Sequence, residues 1–205
     1  DLGSGRTLGV RADMTPQVAR IDAHSLCYPG IARLCYSGST LLSNARRVME
    51  GRAPIQLGAE LFGSESHDAD SEIVLLMLAT LQAAGVRPKL TLDIGHIGIY
   101  DALFRRAGLN KETEHELFGA LQRKSLPEIR RLSKSLPNKL GVRLVHLSEL
   151  HGTPDIINSA RELFPDYAEI LIALDYLQDV LDRVSRRHPA VSLYVDFTEL
   201  RLSLI

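Results

Sequence analysis

The chain has 205 residues, 45% of them hydrophobic, with 24 Lys and Arg against 25 Asp and Glu for a formal charge of −1. That length can bury a sizeable core in one domain, or one domain with an added lobe, and the charge gives no electrostatic case for nucleic acid or an anionic membrane as main partner. No apolar run approaches the ~20 residues of a membrane span, and the two cysteines, Cys27 and Cys35, read as buried thiols of a reducing cytoplasm.

Both ends read as cut: the first residue is not Met, and the last run, "VSLYVDFTELRLSLI", stops inside a strand-like pattern. From the start, "RTLGVRADMT" (6–15) reads as a strand ending at Thr15-Pro16. "TPQVARIDAHSL" (15–26) then reads as a helix with Thr15 as N-cap and Pro16 at the first helical position, where a missing N–H costs nothing. "ARLCYSGSTLLS" (32–43) and "PIQLGAELFG" (54–63) are strands joined by a loop that carries Arg46, Arg47 and Arg52, the candidate mobile loop, and they predict an antiparallel pair. In the second strand Ile55, Leu57, Ala59 and Leu61 alternate with Gln56, Gly58 and Glu60. The polar row is either the floor of a ligand pocket or a wet face, and Gly58 in mid-strand implies that something approaches its backbone closely.

"DADSEIVLLMLATLQAAGV" (68–86) has acids in its first turn, an apolar body and a closing Gly85, the pattern of a helix. "KLTLDIGHIGIY" (89–100) is another strand running into a glycine-marked turn. After Asp101 helical periodicity dominates: "YDALFRRAGL", "EHELFGALQRKSLPEIRRLSKSL", "PDIINSARELF" and "EILIALDYLQDVLDRVSRRH", with "VRLVHLSEL" ambiguous between helix and strand. "VSLYVDFTELR" (191–201) returns to strand, with Asp196, Thr198 and Arg201 facing out of it. The expected architecture is α+β: a partial core over 1–101 and 192–205, interrupted by a mainly helical segment, 102–191.

Few motifs carry chemistry. "GSGRTLG" (3–9) lacks the Lys-Ser/Thr of a phosphate loop and reads as a hairpin turn. The seven histidines form no metal-ligand pair, so no metal is expected, and His96, between glycines at a strand exit, reads as a structural histidine. There is no G-x-S-x-G elbow, and "SRRH" and "RRLSKS" read as solvated helix faces. Asp13 and Thr15 of "RADMT", with the row Gln56/Gly58/Glu60, offer carboxylate, amide and hydroxyl groups that suit the ammonium and ring N–H of a free amino acid.

"GVRADMTPQVARIDAH", "RLCYSGSTLL", "APIQLGAELFG", "TLDIGHIGIY" and "YVDFTELR" occur in this order. Together they resemble the regulatory-subunit family of ATP phosphoribosyltransferase, a paralogue of histidyl-tRNA synthetase. The resemblance implies a class II aminoacyl-tRNA synthetase-like antiparallel sheet flanked by helices, with a helical segment before the last strand. It also implies a histidine-binding role for Asp13, Thr15, Gln56, Glu60 and Arg201, although Leu202 replaces the glycine that follows that arginine in the family. On the motif-2 strand, the position of the synthetase arginine that clamps the α-phosphate of ATP is Leu42, and the acidic position two residues on is Asn44. A leucine cannot stabilise phosphate charge, so the implied role is non-catalytic and without cofactor. The implied partners are a short-form catalytic ATP phosphoribosyltransferase, L-histidine as feedback effector, and a second copy through self-association of the full-length protein. The alternatives are an active histidyl-tRNA synthetase, which Leu42 disfavours, an RNA-binding synthetase relative and a fragment without a ligand.

Overall fold

Two alternating stretches pair as the sequence pattern predicts: β1 (Ala32–Ser39) and β2 (Ile55–Phe62) form an antiparallel ladder with Tyr36 opposite Gly58 and Gly38 opposite Gln56. The structure, a computed structural model, describes residues 5, 9–43, 51–86, 89–137, 139–200 and 203–204. The chain divides into two units, 1–73 and 74–205.

In the first unit, α1 (Thr15–Ile21) precedes the hairpin and continues through a π-helical turn, 22–26, that ends at Cys27 with φ 45°. Residues 9–14 form no strand; their contact with the hairpin's continuation includes a bond from Leu41 N–H to the Arg11 carbonyl, 2.9 Å. Thr15 is not the N-cap, because its hydroxyl is engaged by Tyr36; Met14 occupies the cap position with no side-chain cap. Cys27 and Cys35 are free and exposed rather than buried, since Cys35 lies on the outer face of β1. The burial of β2 is also the reverse of a simple apolar-in pattern: Ile55 and Leu57 are 76% and 61% exposed, while Gln56, Gly58 and Glu60 are half-buried. Arg33 grips Glu72 with both ends of its guanidinium, at 2.5 and 2.8 Å. Glu72 lies on α2 (His67–Ala83), a helix with acids in its first turn and Gly85, φ +79°, just beyond its end; the division into units falls within it.

The second unit holds a four-stranded sheet, order β4-β5-β3-β6, from β3 (Thr91–Ile94), β4 (His151–Gly152), β5 (Ser192–Asp196) and β6 (Ser203–Leu204). Its β4–β5 and β3–β6 pairs are antiparallel, but β3 and β5 run parallel. A parallel pair needs a long crossover, and the helices supply it: α3 (Ile97–Ala107), α4 (Lys111–Gln122), α5 (Leu126–Ser133), α6 (Leu140–Glu149), α7 (Ile156–Leu163) and α8 (Ala168–Arg187). The ambiguous "VRLVHLSEL" is thus helical. The "IGIY" that followed the β3 pattern is the start of α3, because His96 caps it: its Nδ1 accepts the Gly98 N–H at 3.1 Å. Leu117, Leu121, Leu144, Phe164, Ile170 and Leu174 are fully buried between these helices. Among the described residues no helix is long and apolar enough to cross a membrane.

The chain leaving β5 must cross the end of β3 to reach β6 on the far side. It passes so close to Gly95 that a Cβ there would lie 2.0 Å from the Glu199 carbonyl oxygen and 2.8 Å from that of Asp196. Both obstacles are backbone, which has little room to yield. Gly95→Ala is therefore expected to destabilise the fold by at least the ~1–3 kcal/mol of an overpacked core, read as a lower urea midpoint of the full-length protein.

Candidate functional site

The polar row of β2 is covered by the segment Arg11–Thr15. Gln56 donates from Nε2 to the Asp13 Oδ1 at 2.8 Å and accepts the Met14 N–H on its Oε1 at 2.8 Å. Asp13 Oδ1 also accepts the Thr15 N–H at 3.0 Å. The Gln56 and Thr15 donors, in that order, hold the Asp13 carboxyl below its ordinary value, so it is an anion at neutral pH. Tyr36 donates its hydroxyl proton to Glu60 Oε1 at 3.0 Å, which makes Thr15 the donor in its 2.7 Å contact with the same oxygen. Burial, with the charge and hydrogen bond of Glu60, raises the phenol above its ordinary value, so it stays a neutral donor.

Gly58 is explained by its own neighbour. The Tyr36 ring lies across the strand, and a Cβ at 58 would meet its Cζ and hydroxyl at 2.3 Å. Gly38 has the same function two residues along the ladder, where a Cβ would meet Arg11 Nη2 at 2.8 Å and the Met14 sulfur at 3.2 Å. Asp13, Thr15, Gln56 and Glu60 are thus brought together on one face, joined through Tyr36. The face has two carboxylates, a carboxamide and two hydroxyls, an acceptor-rich set suited to a small cation-bearing ligand with N–H donors. Tyr36 and Arg11, which donates from Nε to the Ser39 carbonyl at 3.1 Å, were not singled out as site residues by the sequence reading. The mid-strand glycine was the available signal for Tyr36, since a strand glycine opposite an aromatic makes room for the ring.

Arg201, Arg46, Arg47 and Asn44 lie outside the described residues. Arg52 is described: it continues the hairpin beyond β2, its carbonyl accepting the Leu42 N–H at 2.8 Å while its Nε donates to the Leu42 carbonyl at 3.1 Å.

In the second unit Asp196 and Thr198 do not face outward, as β5 alternation had suggested. They are 8% and 4% exposed, because the chain turns over β3 at this point. Asp196 Oδ1 accepts both the N–H and the hydroxyl of Thr198, at 2.8 and 2.6 Å. Its Oδ2 takes Lys124 Nζ at 2.6 Å, and the same ammonium reaches Glu199 at 3.4 Å. Burial raises the Asp196 carboxyl, but Lys124 and the Thr198 donors outweigh it and leave it below its ordinary value. Lys124, depressed by burial and raised more by these carboxylates, ends above its own. Asp93 on β3 shares their field without sharing the cation: it is 5% exposed, its Oδ1 has no hydrogen-bond partner among the described residues, and burial with the Asp196 charge pushes its carboxyl up. Among the described residues no cluster of His, Cys, Asp and Glu could hold a metal ion.

A family model described as histidyl-tRNA synthetase matches residues 1–203. The chain is 49% identical over 202 residues to a Pseudomonas putida protein named ATP phosphoribosyltransferase regulatory subunit, covering 98% of this chain and 51% of that one. It is similar in structure to an ATP phosphoribosyltransferase regulatory subunit/histidyl-tRNA synthetase from Bacillus halodurans, with a TM-score of 0.75 at 29% identity over 93% of this chain and 50% of that chain. It is also similar to an ATP phosphoribosyl transferase (HisG:HisZ) complex from Thermotoga maritima, with a TM-score of 0.69 over 96% of this chain and 69% of that chain; at 20% identity this likeness is one of fold. The fold is of the class II aminoacyl-tRNA synthetase kind. The chain spans about half the length of the curated relatives it matches.

Asp93 and Asp196 give opposite contributions to stability against pH. Asp196, lowered in the fold, stabilises above the ordinary value of 3.8, and that contribution is lost as pH falls through its folded value. Asp93, raised in the fold, is least costly below 3.8 and opposes folding increasingly as pH rises through its folded value. Asp93→Asn is therefore expected to raise the melting temperature at pH 7 and to leave it nearly unchanged near pH 3. A variant less stable than the parent at pH 7 would contradict this assignment.

Proposed function

The chain belongs to the histidyl-tRNA synthetase family, and from that premise we propose that the protein is a non-catalytic regulatory subunit of ATP phosphoribosyltransferase. It acts at the first step of L-histidine biosynthesis, in the cytoplasm, on a short-form catalytic subunit with which it forms a hetero-oligomer. Histidine is its feedback effector, bound by Asp13, Thr15, Gln56 and Glu60, with Arg201 completing the set. The observation that carries this reading is the joined polar face of Asp13, Thr15, Gln56 and Glu60 in a chain that has Leu42 where the family's synthetases have an arginine. The face keeps its carboxylates and amide in one hydrogen-bonded group, while the position of the synthetase phosphate clamp holds a side chain with no donor. A ligand can bind there, and adenylate formation lacks the group that would stabilise its charge.

The relatives' names support the regulatory role. The chemistry of the face supports the effector. A carboxylate such as Asp13 or Glu60 accepts from the histidine ammonium or ring N–H, and Tyr36 fixes Glu60 and Thr15 relative to each other. Histidine can inhibit only by favouring one conformation of the assembly over another, so its site must differ between them.

The test uses the full-length protein with its short-form catalytic subunit, following phosphoribosyl-ATP formation with and without L-histidine. Stimulation that histidine reverses is the expected result; histidine-dependent ATP–pyrophosphate exchange without stimulation would instead establish a synthetase. Asp13→Ala, Gln56→Ala and Glu60→Ala should each raise the histidine concentration for half-inhibition by about tenfold or more, the loss of one charge-assisted bond, while leaving stimulation intact. Lost stimulation with histidine sensitivity unchanged would remove these residues from the site.

A further inference from the structure

The charge of this near-neutral chain is concentrated in one place. From Arg123 to His146 there are seven Lys or Arg and a single acid, Glu128, in a chain whose net charge is −1. Four of those cations have partners: Arg123 pairs with Glu128, Lys124 with Asp196, Arg130 with Glu149, and Arg143 lies over the rings of Phe164 and Tyr167. Arg131, Lys134 and Lys139 are exposed and make no ion pair among the described residues.

Two of these cations, Arg130 and Lys134, rim a groove between α5 and α6. The two helices touch at the backbone, where a Cβ at Gly141 would fall 2.0 Å from the Ser133 carbonyl oxygen. Beside that contact opens a cavity of about 230 Å³, walled by Val142 and Val145 and rimmed by Arg130, Lys134 and His146. Val142 is 59% exposed. Ser133 also lines the groove; it is 4% exposed, and its buried hydroxyl has no hydrogen-bond partner among the described residues. An exposed valine beside a basic rim gains little from water. That condition is relieved by one kind of visitor: an apolar side chain on an acidic surface. RNA fits less well. Phosphates would answer the cations, but the groove lining holds no Phe, Tyr or Trp for a base to stack on, and the valines would stay uncovered.

We propose that this basic α5–α6 face is a docking surface for the catalytic subunit, which presents to it an acidic patch centred on an apolar side chain. The proposal rests on the regulatory-subunit reading above. Charge complementarity of this kind speeds association and makes it salt-sensitive.

The experiment measures association of the full-length protein with its catalytic subunit by sedimentation velocity, at low and high salt, for the parent and for Arg131→Glu/Lys134→Glu. Both residues are exposed, so folding should survive, and unchanged histidine binding by the isolated regulatory subunit checks it. Arg186→Glu/Arg187→Glu, at the exposed end of α8, is the charge-matched control. The expected result is about a tenfold or greater loss of affinity at low salt for the α5 variant, with a flattened salt dependence and little change in the control. Equal affinities for parent and α5 variant, or equal losses in both variants, would overturn the docking surface. So would an RNA hairpin that binds the parent and is lost from the α5 variant while catalytic-subunit binding persists. If the parent itself fails to bind the catalytic subunit, the regulatory reading falls, and this surface with it.

Discussion

A primary amide offers both an acceptor and two donors, and Gln56 directs both kinds at one short stretch of chain. Its oxygen holds the Met14 N–H and its nitrogen holds the Asp13 carboxylate. Those contacts pin Arg11–Thr15 across the hairpin and cover the polar row. Everything else on that face follows from the pinning. Asp13 is brought to the Thr15 amide, Thr15 to Tyr36, and Tyr36 to Glu60. A two-stranded hairpin alone is marginal in water, and among the described residues of 1–73 the buried apolar side chains are only Val18 and Ala69. Order in this unit therefore comes from directed polar contacts more than from burial.

The second unit is organised the opposite way. Its helices bury a large apolar core, and its buried charges gather where β5 turns over β3. There one ammonium, Lys124, answers Asp196 and Glu199, while Asp93 stands buried behind them on β3. Lys124 itself has φ 52°, in the left-handed region unusual for a residue with a Cβ. The backbone is held in that conformation at the point from which the side chain reaches two carboxylates more than seventy residues further on.

Much of this was legible in the sequence, for reasons that differ from residue to residue. The β1–β2 pair could be read because alternation and a polar loop are local signals, and α2 because its acids, apolar body and Gly85 all lie within one element. Thr15, Gln56 and Glu60 could be listed because they match a family's pattern, and Asp13 because it stands where that pattern has a glutamate, yet their joining through Tyr36 could not, since it depends on a cross-strand register. The strand expected over 6–15 does not appear among its described residues, because backbone pairing there competes with the bonds that Gln56 and Leu41 offer. Asp196 and Thr198 looked outward by alternation, which assumes that a strand continues; a chain that folds over the next strand buries whichever side it turns toward. "IGIY" looked like strand because its apolar residues alternate, and a capping histidine turned it into a helix start.

Tyr36 and Gly58 stand opposite each other, and the ring occupies the space that any side chain at 58 would need. The two positions are therefore one hereditary unit. A lineage cannot acquire even alanine at 58 until the tyrosine has gone or swung away, and the loss of that ring would unlink Thr15 from Glu60. Drift at one site is gated by drift at the other, so a glycine at 58 records in descent whether the tyrosine is still in place.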